Sequence, residues 1–289
     1  MKISDYPCKH RNAAGFSQYI LDKTALPFPE SYNNHTSLAT LAIAVKEEKN
    51  FAYCTLPFCH TVEAEALGGR ISLGDGRIGP RPKEYSFNTL EDLLRASPIN
   101  FSKGRIHQVL LACSSLKKRG EKVALEICGP YSILNCLIDI SIFFKSWRKN
   151  PRLVEAVFAF ISDNLLRYIQ AACEVGVDII SYADPAGSLN ILGPQYTKNT
   201  ANLFTIPFLK KAEHLTDGRC LIHLCPKTTL ILTGLDLADY QNVCIPENIS
   251  YIEAALNAIG KIGIIGQACL KEDSRVLGNR NLRAVRLRL

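Results

Sequence analysis

"CLIHLCPKTT", residues 220–229, sets a short apolar run against a proline. A run of this length, apolar on both faces, reads as a strand covered by helices. Inside it His223 and Cys225 stand two apart, so they share one face, while Ile222 and Leu224 share the other. Working outward, similar runs recur as "FAYC" (51–54), "KVALEIC" (122–128), "VDIISYADP" (177–185) and "KIGIIGQAC" (261–269), with a shorter strand near Val243. Helical spacing fills the intervals at 37–50, 61–69, 101–118, 132–147, 151–175, 202–214 and 250–259. A further helix starts at Asn88, a cap with Glu91 three residues on, and 70–79 reads as a hairpin turned at Asp75-Gly76. Alternating buried strands and helices predict an α/β fold, and a (β/α)8 TIM barrel fits better than an open doubly wound sheet. No Gly-rich phosphate loop follows a strand. At 289 residues the chain suits one such unit. Residues 1–289 are therefore expected to form a single barrel domain with an N-terminal helical extension.

The composition, 47% apolar and 21% charged, is that of a globular chain with a sizeable core. The net charge is +7, but no run of five Lys or Arg exists, so no nucleic-acid partner is expected. No stretch of 18 apolar residues is present, so no membrane-spanning helix is expected. The opening "MKISDYPCKHRNAAG" lacks the apolar core of a signal peptide. A cytoplasmic location is the expectation, with the eleven cysteines as thiols or metal ligands. Arg275, Arg280, Arg283, Arg286 and Arg288 crowd the end. They read as a solvated tail or edge strand, or else as a basic contact for an acidic cofactor or partner.

In a barrel the active site lies at the C-terminal ends of the strands. Those ends carry Cys54 with Thr55, Cys128 with Gly129, Tyr182 with Asp184, His223 with Cys225, and Gln267 with Cys269. His223 and Cys225 on one strand face, with Cys269 ending a later strand, make a His-x-Cys…Cys set. Three N/S ligands with one open position describe a catalytic zinc site. Such a zinc holds an incoming thiol as its nucleophilic thiolate, which suits alkyl transfer to sulfur. A buried Cys and His are also ordinary core residues, and that reading stands beside the metal one.

Several segments, taken in order, carry a resemblance. "CTLPFCHTVEAEALGGRI", "ICGPYSIL", "GVDIISYADPAGSLNILGP" and "LIHLC" with a later "GQAC" resemble the uroporphyrinogen decarboxylase superfamily. They are most similar to its methylcobamide:coenzyme M methyltransferase branch. The resemblance runs from about residue 36 to 270. It implies a (β/α)8 barrel, here abbreviated at its C-terminal end. It also implies methyl transfer from a methylated corrinoid, borne by a separate carrier protein, to a small thiol such as coenzyme M. Zinc would be held by His223, Cys225 and Cys269, and Asp184 would sit near the site in a catalytic or positioning role, or serve as a turn cap before Pro185. Glu63 and Glu65 flank the site-side loop and point to different helix faces. Glu63 is named as the catalytic candidate, either a metal-side group or part of a solvated face. Cys54 and Cys59 compete as ligands. The sequence departs from the decarboxylases in two places: their arginine-rich segment is reduced to Arg11, and their catalytic aspartate falls at Cys59. Tetrapyrrole decarboxylation and non-catalytic corrinoid binding are the alternatives.

Overall fold

The computed structural model describes residues 3–8, 15–271, 276–277 and 281–288. Arg11, Arg275 and Arg280 lie outside the described residues. The N-terminal part holds α1 (Gln18–Thr24), α2 (His35–Lys49), β1 (Cys54–Leu56) and α3 (Val62–Ala66). A hairpin of β2 (Arg70–Ser72) and β3 (Arg81–Glu84) follows, then α4 (Leu90–Leu94) and α5 (Gly104–Lys118). The middle holds β4 (Val123–Cys128), α6 (Pro130–Leu137), α7 (Ile140–Lys149), α8 (Pro151–Glu174) and β5 (Ile179–Ala183). The rest comprises α9 (Leu189–Thr200), α10 (Ile206–Thr216), β6 (Leu221–Leu224), α11 (Pro226–Gly234), β7 (Ala238–Cys244), α12 (Tyr251–Asn257), β8 (Ile264–Ile265) and β9 (Asn281–Leu287).

Seven strands form one sheet in the order β1-β4-β5-β6-β8-β9-β7. The run from β1 to β8 is parallel, as barrel-type strands joined by helical crossovers must be. The C-terminal end departs from that pattern. β9 lies antiparallel between β8 and β7, pairing Ala284 with Ile265 and running along the whole of β7. The α/β barrel fold is thus abbreviated at its C-terminal end. Among the described residues β1 and β7 are not paired.

Two apolar layers follow from the strand alternation. Cys54, Leu56, Leu125, Ile180, Ile222, Leu224 and Ile264 face the surrounding helices. Tyr53, Ala124, Ile179, Leu221 and Ile265 face inward, closed over by Tyr251 and Ile252 of α12 and Leu282 and Ala284 of β9. Helix starts follow their caps. Ser250 and Glu253 form a reciprocal capping box on α12. Thr89, not the expected Asn88, caps α4 by accepting from Asp92 N. The expected single helix over 132–147 is two helices, because Ile138 is extended and Asp139 caps a fresh start by accepting from Ser141 N. The 70–79 hairpin is wider than expected. Its second strand is β3, and Asp75 closes the turn through Oδ1, which accepts from Arg77 N and Ile78 N.

Candidate functional site

Register places one row of inward side chains across the sheet. Glu126 pairs with Ser181, Ser181 with His223, and His223 with Ile265. In-register neighbours point to the same face, so a carboxylate, a hydroxyl and an imidazole share one level of the interior.

His223 is 2% exposed. Its Nε2 lies 2.9 Å from the carbonyl oxygen of Ala268. A carbonyl only accepts, so Nε2 carries the hydrogen and Nδ1 the lone pair. That Nδ1 is buried with no hydrogen-bond partner. Burial pushes the imidazole down to about 4, so it is neutral near pH 7. Its ring meets Tyr251 edge-on at 6.1 Å.

Cys225 follows β6 as the residue before α11, and Cys269 follows β8. Burial pushes both thiols up, Cys269 to about 11, while the backbone N–H of Lys227 and Thr228 at Cys225, and of Lys271 at Cys269, work the other way. The Cys225 thiol also acts on Cys269 electrostatically. Among the described residues no three His, Cys, Asp or Glu side chains are gathered into a finished metal cage. The donor chemistry nonetheless fits zinc. A buried neutral imidazole offers an unpartnered nitrogen, its other nitrogen is fixed by a carbonyl, and backbone N–H groups support both sulfurs.

Asp184 does not reach that row. Its Oδ1 accepts from Ser132 N at 2.8 Å and Ser132 Oγ at 2.7 Å, and its Oδ2 from Tyr131 N at 3.1 Å. It therefore caps the first turn of α6 from the end of β5, and burial raises its carboxyl to about 6 against those donors. Gly129 and Gly187 make room for it, since a Cβ at either would stand 2.4 Å or 2.6 Å from an Asp184 atom.

Glu63 is 1% exposed and turns inward to the end of β4, where its Oε1 accepts from Cys128 N at 2.8 Å. Its Oε2 is buried without a partner, and burial pushes the carboxyl up, which favours the protonated form. Glu65 points elsewhere, as the helix geometry requires. It accepts from Arg105 Nε at 2.6 Å. Arg105, absent from the sequence-based candidates, is 5% exposed and also donates to Cys59 Sγ (3.1 Å) and Thr61 Oγ1 (2.7 Å). Cys54 faces the helix layer beside Glu121, and burial pushes it to about 12.

A cavity of about 1580 Å³ opens beside this region, with Thr55, Cys59, His60, Glu126, Asn135 and Lys271 among its lining. Glu126 sits between two bases. His60 Nε2 lies 3.7 Å from its Oε2, and Lys271 Nζ lies 3.5 Å from its Oε1. Burial pushes this carboxyl up, but the Lys271 ammonium and His60 together prevail and hold it down to about 2. Glu126 was hidden in a strand read only as buried. A lone acid in an apolar run was the signal.

Comparison with known proteins agrees with this architecture. The methylcobamide:CoM methyltransferase MtaA of Methanosarcina barkeri (strain Fusaro) is 27% identical over 254 residues, covering 83% of this chain and 71% of that protein. Methylcobamide:CoM methyltransferase MtbA of Methanosarcina acetivorans is 26% identical over 245 residues, covering 83% and 70%. Among solved structures, a methyltransferase from Methanosarcina mazei superposes with a TM-score of 0.64 at 24% identity, over 76% of this chain and 66% of that one, a likeness of fold. The model of the uroporphyrinogen decarboxylase (URO-D) family matches residues 8–270, nearly the whole described molecule, and the chain belongs to that family.

Proposed function

We propose that this protein is a corrinoid-dependent methyltransferase that moves a methyl group from a methylated corrinoid to a small thiol such as coenzyme M. The corrinoid would be carried by a partner protein at the cavity mouth. Residues 1–289 would act as one domain in the cytoplasm. No helix among the described residues is long and apolar enough to cross a membrane. The names of the relatives support methyl transfer, and the observation that carries the reading is His223. A neutral imidazole with one nitrogen fixed by Ala268 and the other buried without a partner is chemistry prepared for a metal.

His223, Cys225 and Cys269 would hold zinc. When bound, zinc supplies a Lewis acid that keeps an acceptor thiol ionised near pH 7. The chain's own residues do the rest. The Ala268 carbonyl fixes the tautomer of His223. Backbone N–H groups stabilise charge on the two cysteine sulfurs. The apolar inward layer of Tyr53, Ile179, Leu221 and Ile265 keeps water from beneath the row. Asp184 acts at one remove, by fixing α6 beside the cavity through Tyr131 and Ser132. Glu63 ties α3 to the end of β4 and presents an unpaired oxygen there, as a group for substrate or metal side.

The test combines elemental analysis with a methyl-transfer assay using methylcobalamin and 2-mercaptoethanesulfonate. Zinc near one per chain, lost in His223→Ala and Cys225→Ala, with cob(I)alamin and methylated thiol formed only by the metal-loaded protein, is the expected result. Folded protein that takes up no zinc and transfers no methyl group overturns it.

A further inference from the structure

The row that holds His223 also holds Glu126, and Glu126 is not needed to bind a metal at His223, Cys225 and Cys269. It is a charged side chain inside an apolar strand, a placement that costs free energy unless the charge is paired. Its pairing is unusual. One carboxylate oxygen faces Lys271 and the other faces His60, and all three side chains line the cavity. Lys271 Nζ lies 3.5 Å from one oxygen and His60 Nε2 3.7 Å from the other, so the carboxylate has a basic side chain on each side. The pair of Glu126 with Lys271 is already charge-balanced, and His60 Nε2 stands beside the same carboxylate, at the cavity wall.

A carboxylate cannot donate, so the contact of His60 Nε2 with Glu126, 3.7 Å apart, favours the tautomer with its N–H at Nε2 and its lone pair at Nδ1. A carboxylate behind an imidazole fixes the tautomer and stabilises the imidazolium that forms, the logic of a general-base dyad. The other groups around His60 have tasks of their own. Glu63 on α3 binds Cys128 N, and Arg105 on α5 is engaged by Glu65, Thr61 and Cys59. Cys136 on α6 approaches the His60 carbonyl. Lys271, after β8, is turned to Glu126. His60 is thus the cavity base with a carboxylate behind it.

We propose that His60 is the catalytic base that removes the proton of the acceptor thiol as it enters the cavity, with Glu126 as its positioning residue. The S–H bond breaks, its electron pair remains on sulfur, and the proton passes to His60 Nδ1. This rests on the proposed methyl transfer to a thiol and adds the route of the proton.

The experiment is calorimetry of 2-mercaptoethanesulfonate binding to the zinc-loaded protein. Heats measured at pH 7.5, set as a working value of about one unit above an unperturbed His, in buffers of different ionisation enthalpy give the protons released per thiol bound. The wild type is expected to release well under one, because the bound thiolate and Glu126, on either side of His60, hold the proton there. His60→Gln is expected to release about one, the full S–H proton, at unchanged zinc content and melting temperature. Glu126→Gln is expected to lie between them. Equal release by wild type and His60→Gln overturns the base. No thiol binding by zinc-loaded wild type overturns the methyl-transfer reading and this inference with it, so the two failures are told apart. A purely structural role for His60 would move the melting temperature and leave the proton count alone.

Discussion

His223 and Ala268 are joined across the sheet interior, Nε2 to carbonyl oxygen at 2.9 Å, although 45 residues separate them. The contact decides which imidazole nitrogen is free, and burial keeps the ring uncharged. The folded-state value is about 4 against an ordinary 6.5. Between those values the unfolded chain binds a proton that the folded chain refuses. Stability from this group is therefore complete above about pH 6.5 and is lost as pH falls toward 4. Metal-free wild type should lose stability over that window by an amount on the order of 3 kcal/mol. His223→Gln should show a flatter profile in urea melts taken from pH 7 to 4. Parallel profiles for the two proteins would refute the neutral buried imidazole.

The carboxylate of Asp184 fills the space that two glycines leave. Gly129→Ala would put a Cβ 2.4 Å from Asp184 Cβ and 2.7 Å from its Oδ2, with backbone of β4 and β5 on either side. A loss of about 1–3 kcal/mol is expected, the usual range for overpacking. Asp184→Asn removes charge but keeps an acceptor, and is expected to cost about 1 kcal/mol through the weakened cap on α6. If the double variant costs much less than the two singles summed, both changes act through the one contact. Full additivity in chemical melts would argue against it.

These residues show how far the sequence could be read. The strand that carries His223 was legible from its apolar run, while Cys225 lies just past it as the residue before α11, where period-two alternation no longer sets its direction. The barrel pattern was legible because the parallel strands are mostly apolar on both faces, with only single polar residues such as Glu126, Ser181 and His223 turned inward. The cap made by Asp184 could be foreseen only as one option, since its donors Tyr131 and Ser132 lie some fifty positions earlier and meet it only through β4–β5 pairing. Arg105 stands near the start of a helix, where a solvated arginine is the ordinary reading, and nothing local reveals that it turns inward to Cys59 and Thr61. Whether the three proposed ligands close around one ion depends on contacts between β6 and the segment after β8, which spacing along the chain does not fix.

Arg105 gives a sharp test of that inward turn. Its guanidinium serves Glu65, Thr61 and Cys59 at once, a forked geometry that an ammonium cannot reproduce. Arg105→Lys is expected to cost about 1–2 kcal/mol, and Arg105→Met more, roughly 3 kcal/mol, because Glu65 loses its counter-charge. Alkylation of Cys59 by iodoacetamide, followed by peptide mass spectrometry, should change rate in both variants. An unchanged rate would mean that the guanidinium does not reach the sulfur.

The C-terminal arginines separate two readings of the last strand. As a solvated tail, residues 281–289 would be dispensable. In the fold, Leu282, Ala284 and Val285 are buried, and β9 joins β8 to β7 from the interior of the sheet. The arginines lie on its wet side. Arg288 pairs with Asp239, Arg286 donates to Gln241, and Arg283 stacks over Tyr240. Removing the strand would expose the open edge of β8 and the inward layer beneath α12, and unpaired edges of this kind seed aggregation. Truncation after residue 280 is therefore expected to abolish the cooperative thermal transition and to leave aggregated protein. Replacing Arg283, Arg286 and Arg288 together by Gln should cost about 1 kcal/mol or less, because exposed pairs contribute little. A truncated chain that still melts cooperatively at the wild-type temperature would return these residues to a solvated tail.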